Sequence, residues 1–189
     1  ILGKVSLIAI IFHFIIGLAI IWVAMSVFEP IILRGFRYKL TLRELICLSI
    51  LLMMLGCGLA NCDLYGFSFL KLFVASGLLL ICNVSNISYT LMFASTMGIG
   101  SMLAGNNPLY MAPFIIWALA IIIFKSYHKI FSCLSLAISE VVVALYFNIY
   151  YNISALTFIP LLLACVIFMV IPNSVLTQIS ALLSNGSER

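Results

Sequence analysis

Glu140 is the acidic residue that lies deepest in an apolar stretch of this chain, within the run 130–147, and it is the first candidate for chemistry. A carboxylate in hydrocarbon is costly, so we expect it to face the interior of a helix bundle, to be protonated or to be paired. Two interpretations stay open: a proton or cation site, or a structural polar contact to Ser, Thr or Asn on a neighbouring helix. Polar groups available as partners lie at 83–86 and 106–107, and Lys71 is a more remote candidate.

His13 is the second candidate for an intramembrane polar site, because it lies in the middle of the first apolar run, 5–28. A single histidine there is more typical of an interhelical hydrogen bond than of a ligand. Five of the six cysteines fall inside apolar runs, where a thiol behaves as a small hydrophobe; a bridge between Cys57 and Cys62 is the alternative for that pair. No nucleophile, nucleotide or metal motif is present in the sequence, so we expect no active site and no cofactor within it.

The composition decides the class of protein. Hydrophobic residues make up 66% of the 189 residues and charged residues only 7%, with a mean hydropathy of +1.33. A soluble domain of this size needs more polar surface. The net charge of +4 is typical of a membrane protein with basic loops. The sequence has no polar face on which basic and aromatic residues alternate, which is the pattern expected of a nucleic-acid-binding protein.

Seven apolar segments are separated by short polar gaps, and each must be a helix because the bilayer core offers no water to backbone groups. They predict an all-α, polytopic transmembrane helical bundle of about seven spans, at 5–28, 45–60, 69–84, 87–104, 109–124, 130–147 and 154–171. The break near 83–88 lacks Pro, Gly and charge, so one long bent element or a pair of half-helices are alternatives there.

Most Lys and Arg residues follow the first, fifth or seventh predicted span. With seven spans these three regions lie on the same side of the membrane. The residues are Arg34, Arg37, Lys39, Arg43, Lys125, Lys129 and Arg189. Only Lys4 and Lys71 fall on the other side. The positive-inside rule therefore predicts a multi-pass protein of the cell membrane with a cytoplasmic C-terminus. The cluster Arg34, Arg37, Lys39 and Arg43 sets topology by default and is also a candidate contact for anionic lipid head groups.

Small residues concentrate at 95–105, where Gly98, Ser101 and Gly105 favour close helix packing. A broken helix on a substrate path is the alternative. Residues 1–172 are interpreted as the transmembrane domain. Residues 173–189 are interpreted as an interfacial helix followed by the start of a cytoplasmic linker, because apolar residues recur on one helical face from Val175 to Leu183.

The order of these features resembles the membrane domain of the stage II sporulation protein E family. The resemblance covers about 29–183 and is carried by the span that opens with Leu42-Arg43-Glu44, the segment Gly98 to Gly105, the loop Lys125 to Lys129, and the final Ile171-Pro172-Asn173-Ser174. The family joins such a domain to a cytoplasmic metal-dependent serine/threonine phosphatase of the 2C type, which acts on an anti-anti-sigma factor. The resemblance thus implies a fragment that anchors a phosphatase at the division septum.

From that resemblance we expect partners in the lipid bilayer, in further copies of the chain and in cell-division proteins. Manganese or magnesium belongs to the phosphatase domain of the family, and none of its metal-binding aspartates lies in this sequence. A transporter or permease fragment with Glu140 as an intramembrane polar site is the alternative function, and a sensory membrane domain that binds a small apolar ligand is a third.

Overall fold

The computed structural model describes residues 14–15, 17–26, 41–64, 67–105, 108–125, 128–151 and 158–177. Helix α1 is described over Gly17–Ser26. The following helices are α2 (Leu42–Ala60), α3 (Phe69–Val84), α4 (Ile87–Gly105), a 3-10 turn (Pro108–Met111), α5 (Ala112–Phe124), α6 (Lys129–Tyr151) and α7 (Phe158–Val170).

The helical class that the sequence predicts is confirmed. Three helices are long and apolar enough to cross a membrane: α2, α4 and the part Lys129–Ile149 of α6. Helices α1, α3 and α7, and the segment Leu109–Phe124, are apolar but shorter. The membrane class therefore rests on three candidate spans within the described residues.

Helix α2 begins three residues before the predicted start because its N-terminus carries a capping box. The Thr41 hydroxyl accepts a hydrogen bond from the Glu44 amide at 3.4 Å, and the Glu44 carboxylate accepts one from the Thr41 amide at 2.7 Å. These two bonds satisfy backbone N–H groups that would otherwise lack partners. The sequence Thr-Leu-Arg-Glu at 41–44 indicates this helix start, although it lies outside the apolar run that begins at Leu45.

The connection from α2 to α3 is a short antiparallel hairpin. Strand β1 (Asp63–Leu64) pairs with strand β2 (Phe67–Ser68), and the register sets Asp63 opposite Ser68 and Leu64 opposite Phe67. The hairpin holds the end of α2 beside the start of α3.

The break between α3 and α4 is real and occupies two residues. Ser85 has extended backbone angles, φ −120° and ψ −176°, which end α3, and α4 starts at Ile87. The Ser85 hydroxyl donates to the Ile81 carbonyl oxygen at 2.9 Å, and this competition for the helical acceptor favours the helix end. The structure therefore has two separate helices here, and not one bent element.

Helix α3 lies at the centre of the bundle. It packs mainly against α7 and also contacts α2, α4, α5 and α6. Its fully buried residues Val74, Ala75, Leu78 and Leu79 form the middle of the core. This central position brings the first turn of α3 close to α6, although the two helices are separated by two others in the chain.

Helices α2 and α4 approach each other so closely that their backbones are in contact. Gly100 allows the approach, since a Cβ atom at this position would overlap the Met53 carbonyl oxygen. Gly56 faces it from α2, where a Cβ atom would lie 3.1 Å from the Met97 carbonyl oxygen. Because both positions are glycines, the two helix backbones can come into contact.

Helix α6 is more polar on its buried face than on its exposed face. Ser132, Ser135, Ser139 and Glu140 are buried, whereas large apolar side chains are exposed: Ile130, Phe131, Leu134, Ile138, Val142 and Leu145. A helix in water shows the reverse arrangement. The exposed apolar residues of α6 thus form a surface suited to lipid.

Candidate functional site

Lys71 and Glu140 form an ion pair between α3 and α6. The Lys71 ammonium donates a hydrogen bond to Glu140 Oε1 at 2.9 Å. Lys71 lies in the first turn of α3, and Glu140 lies in the middle of α6. Lys71, the more remote of the candidate partners in the sequence, is thus the observed partner of Glu140. The polar stretch at 83–86 lies at the other end of α3 from Lys71.

The two charged groups differ in their access to the exterior. The Glu140 side chain is 1% exposed and that of Lys71 is 22% exposed. A buried carboxylate is costly unless it is paired, so Lys71 is the group that allows Glu140 to be ionised inside the bundle. Lysine also has a flexible stem that can carry its ammonium group toward solvent.

Trp117 of α5 lies beside the pair. Its side chain is fully buried, and its indole N–H lies near the Glu140 carboxylate. Among the described residues Trp117 Nε1 has no hydrogen-bond partner. Nothing in the sequence marks Trp117 as a neighbour of Glu140, because the two residues lie on different helices.

A cavity of about 340 Å³ opens at this end of the bundle, which we call the Lys71 end. It lies where α2 and α4 finish, where α3 and α5 start, and beside the second half of α6. Lys71 and Glu140 both line it. Its other polar lining residues are Asn61, Ser68, Ser101 and Tyr110, and its main apolar ones are Leu70, Phe114, Val143 and Phe147. Its volume is at the lower end of the range for small-molecule sites, which is about 300–1,000 Å³.

Two opposite charges dominate the chemistry of the site. They lie at one cavity wall and compensate each other, and among the described lining residues no third Asp, Glu, Lys, Arg or His side chain joins them. Within the ranges that the structure describes, no group of three or more His, Cys, Asp or Glu residues could hold a metal ion.

The opposite end of the bundle carries two lysines that bind helix C-termini. Lys125 donates from Nζ to the Ser85 carbonyl oxygen at 2.8 Å, just beyond α3. Lys129 donates from Nζ to the Ile171 carbonyl oxygen at 2.6 Å, just beyond α7. A cation is favourable at a helix C-terminus, where carbonyl groups lack helical partners. These lysines thus have a structural task besides any role in topology.

The small residues Gly98, Ser101 and Gly105 contact the 3-10 turn that follows α4. A Cβ atom at Gly98 would lie 2.8 Å from Met111 Cγ, and one at Gly105 would meet the Tyr110 ring. Ser101 is buried and donates to the Gly98 and Tyr110 carbonyl oxygens. The small residues therefore fold the 3-10 turn back on α4, and the close helix–helix contact is at Gly100 and Gly56.

Several candidate residues lie outside the described part of the chain: His13, Arg34, Arg37 and Lys39. The remaining member of the basic cluster, Arg43, is exposed and lies 5.5 Å from the centre of the Trp22 ring. After α7 a helical turn covers 173–177, where Leu176 packs into the core. The rest of the predicted interfacial helix and linker, 178–189, lies outside the described residues.

The six cysteines are all free thiols. Cys47, Cys82 and Cys133 are buried, and Cys57 and Cys165 are half-buried. Cys62 is exposed in the connection between α2 and the hairpin. The structure thus has no bridge between Cys57 and Cys62.

Comparison of the chain with protein-family models, with curated proteins and with solved structures gives no match.

Proposed function

We propose that this chain is a membrane anchor that localises a larger cytoplasmic protein and assists its self-association. The proposal includes seven spans, with Lys125 and Lys129 at the cytoplasmic end and the Lys71 end outside. The family it resembles, stage II sporulation protein E, supplies the expected cargo: a metal-dependent phosphatase that acts on an anti-anti-sigma factor at the division septum.

The observation that carries the proposal is the apolar exterior of the bundle. Large hydrophobic side chains are exposed along most described helices, and α6 and α7 present continuous apolar faces. Exposed apolar surface of this extent is typical of proteins whose solvent is lipid. The polar groups are instead kept inside, at helix ends or in the ion pair, so the bundle is suited to residing in a bilayer.

Orientation is supported by where the lysines bind. Lys125 and Lys129 both lie at the end of the bundle where α3, α5 and α7 finish. By the positive-inside rule, the excess of Lys and Arg before α2 and between α5 and α6 supports a cytoplasmic location for this end. A cytoplasmic domain attached after α7 then lies on the side where its substrates are found.

The proposal is tested by a fluorescent protein fused after Arg189 and expressed in sporulating bacterial cells. We expect enrichment at the septum. The control is the same fluorescent protein fused to an unrelated multi-span protein, which marks all membranes evenly. Even fluorescence of both fusions would contradict localisation at the septum, and loss of the fusion from the membrane fraction would contradict the anchor itself.

A second function, proton-coupled transport, is favoured by one observation: the Glu140 carboxylate is buried and lines a cavity. A group in this position can exchange a proton with a bound substrate. Proteoliposomes with a pH-sensitive dye inside would show dissipation of an imposed proton gradient. Transport predicts that Glu140→Gln abolishes the signal and that Ser135→Ala, on the same buried helix face, preserves it. The signal is recorded without and with free amino acids outside, because a coupled carrier moves protons only together with its substrate. A wild-type protein that leaves the gradient intact in both conditions would contradict this function.

A further inference from the structure

The cavity at the Lys71 end presents two opposite charges to one small volume. Glu140 approaches it from α6 and Lys71 from α3, and both line the cavity wall. Helix α3 and helix α6 touch only slightly elsewhere, so the pair can separate by a side-chain movement of Lys71 without repacking the core. A ligand can therefore insert between the two groups.

Charge balance selects the kind of ligand. In a site of low dielectric constant an uncompensated charge is costly. An anion that paired with Lys71 would leave the buried Glu140 carboxylate without its cation, and a cation that paired with Glu140 would only exchange one ion pair for another. A zwitterion compensates both, because one ion pair within the protein is replaced by two pairs with the ligand.

The remaining walls fit a ligand with an apolar part. Leu70, Phe114, Val143 and Phe147 line the cavity, and Phe114 and Phe147 are themselves well buried. Such walls stabilise an apolar group that leaves water. The Trp117 indole N–H lies beside the Glu140 carboxylate but outside the cavity lining, so it can support the carboxylate and does not contact the ligand.

We propose that this cavity binds a zwitterion that carries a primary ammonium group and a carboxylate or phosphate a few atoms apart, together with an apolar group. The ammonium group pairs with Glu140, the anionic group pairs with Lys71, and the apolar group contacts Phe114 and Val143. Two sources share this chemistry: a free amino acid and the head group of a zwitterionic lipid. The site extends the anchoring function to ligand recognition, and it does not require that the ligand cross the membrane.

The first arm of the test uses free amino acids. The purified chain in detergent is titrated with L-leucine, and the shift of its unfolding temperature is measured. Two analogues serve as comparison ligands. N-acetyl-leucine has the carboxylate but no ammonium group, and leucinamide has the ammonium group but no carboxylate. We expect stabilisation by leucine and binding at least about tenfold weaker for both analogues, because each analogue forms one ion pair with the protein where leucine forms two.

The second arm uses lipid. The chain is reconstituted in nanodiscs of phosphatidylcholine with and without phosphatidylethanolamine, extracted, and examined by native mass spectrometry. Phosphatidylcholine is also zwitterionic but has no N–H to donate to Glu140. Retention of phosphatidylethanolamine in preference to phosphatidylcholine would identify a lipid head group as the occupant, and stabilisation by leucine alone would identify a free molecule.

Two variants separate binding from folding. Ala104→Leu reduces the cavity and leaves both charges in place, since Ala104 lines it from α4. It should lose leucine stabilisation and lipid retention while the unliganded unfolding temperature stays near that of the wild type. Ser76→Ala, on α3 but outside the cavity lining, is the control that should retain binding. Equal response to leucine and both analogues, or no ligand response in either arm, would overturn the proposal.

Discussion

Gly100 of α4 packs directly on Gly56 of α2, so that a Cβ atom at Gly100 would lie 3.2 Å from the Gly56 carbonyl carbon. Two backbones at this distance leave no room for a side chain. The contact fixes the position of α2, which otherwise buries few residues: only Cys47 and Gly56 are buried in it. The attachment of α2 to the rest of the bundle thus depends on two glycines.

We expect Gly100→Ala to lower the free energy of unfolding by about 1–3 kcal/mol, because the methyl group forces the helices apart. Gly58→Ala is the matched control on α2, since a Cβ atom there has no atom within 4 Å. The control should gain about 0.5–1 kcal/mol from helix propensity. Unfolding by dodecyl sulfate in mixed micelles measures both, and equal effects would show that the close contact does not hold the helices.

The ion pair predicts unequal single substitutions. Lys71→Met leaves the buried Glu140 carboxylate without its cation and should cost about 3–5 kcal/mol. Glu140→Met should cost less, because the Lys71 side chain is 22% exposed and can redirect its ammonium group outward. The double substitution should lie close to the wild type. The same mixed-micelle unfolding measures all three, and strictly additive costs would contradict the pairing.

Substitution of a lysine that binds a helix C-terminus should destabilise the end of the bundle where α3, α5 and α7 finish. Lys129→Met loses the bond to the Ile171 carbonyl oxygen, and we expect a cost of about 1.5–3 kcal/mol, the range for hydrogen bonds to charged groups. Lys129→Arg should retain part of it. His128→Ala is the control, because the neighbouring His128 side chain is exposed. Faster amide exchange near Ile171 in Lys129→Met, and not in the control, locates the effect at the end of α7.

Cys62 offers a direct measure of orientation. It is exposed at the Lys71 end, whereas the other cysteines are buried or half-buried. In intact cells a membrane-impermeant maleimide should label the wild type and not Cys62→Ser. Labelling that requires permeabilised cells would reverse the proposed orientation and place Lys125 and Lys129 outside.

The helices were largely predictable from the sequence. Helix α3 has the predicted bounds, Phe69–Val84, because polar residues flank its apolar run on both sides. The predicted start of α2 at residue 45 is three residues too late, because a capping box and not hydrophobicity determines where this helix begins. The end of α3 at Ser85 was ambiguous because it has no Pro, Gly or charge, and side-chain hydrogen bonds produce it.

The site was predictable only in part. Glu140 is conspicuous in the sequence because charges are rare in apolar runs. Its pairing with Lys71 depends on which helices are neighbours, and local sequence does not specify that α3 is central. The sequence also does not distinguish Gly100 from its neighbours Gly98, Ser101 and Gly105, because composition shows only where small residues concentrate. The rotation of α4 about its axis determines that Gly100 faces α2.

The central position of α3 has a consequence for biosynthesis. Its main partner is α7, the last helix of the described chain, and the partner of Lys71 is on α6. Synthesis runs from the N-terminus, so α3 is made before either of these partners. Lys71 therefore lacks the Glu140 carboxylate until synthesis has passed residue 140, and α3 cannot complete its packing until α7 has been made.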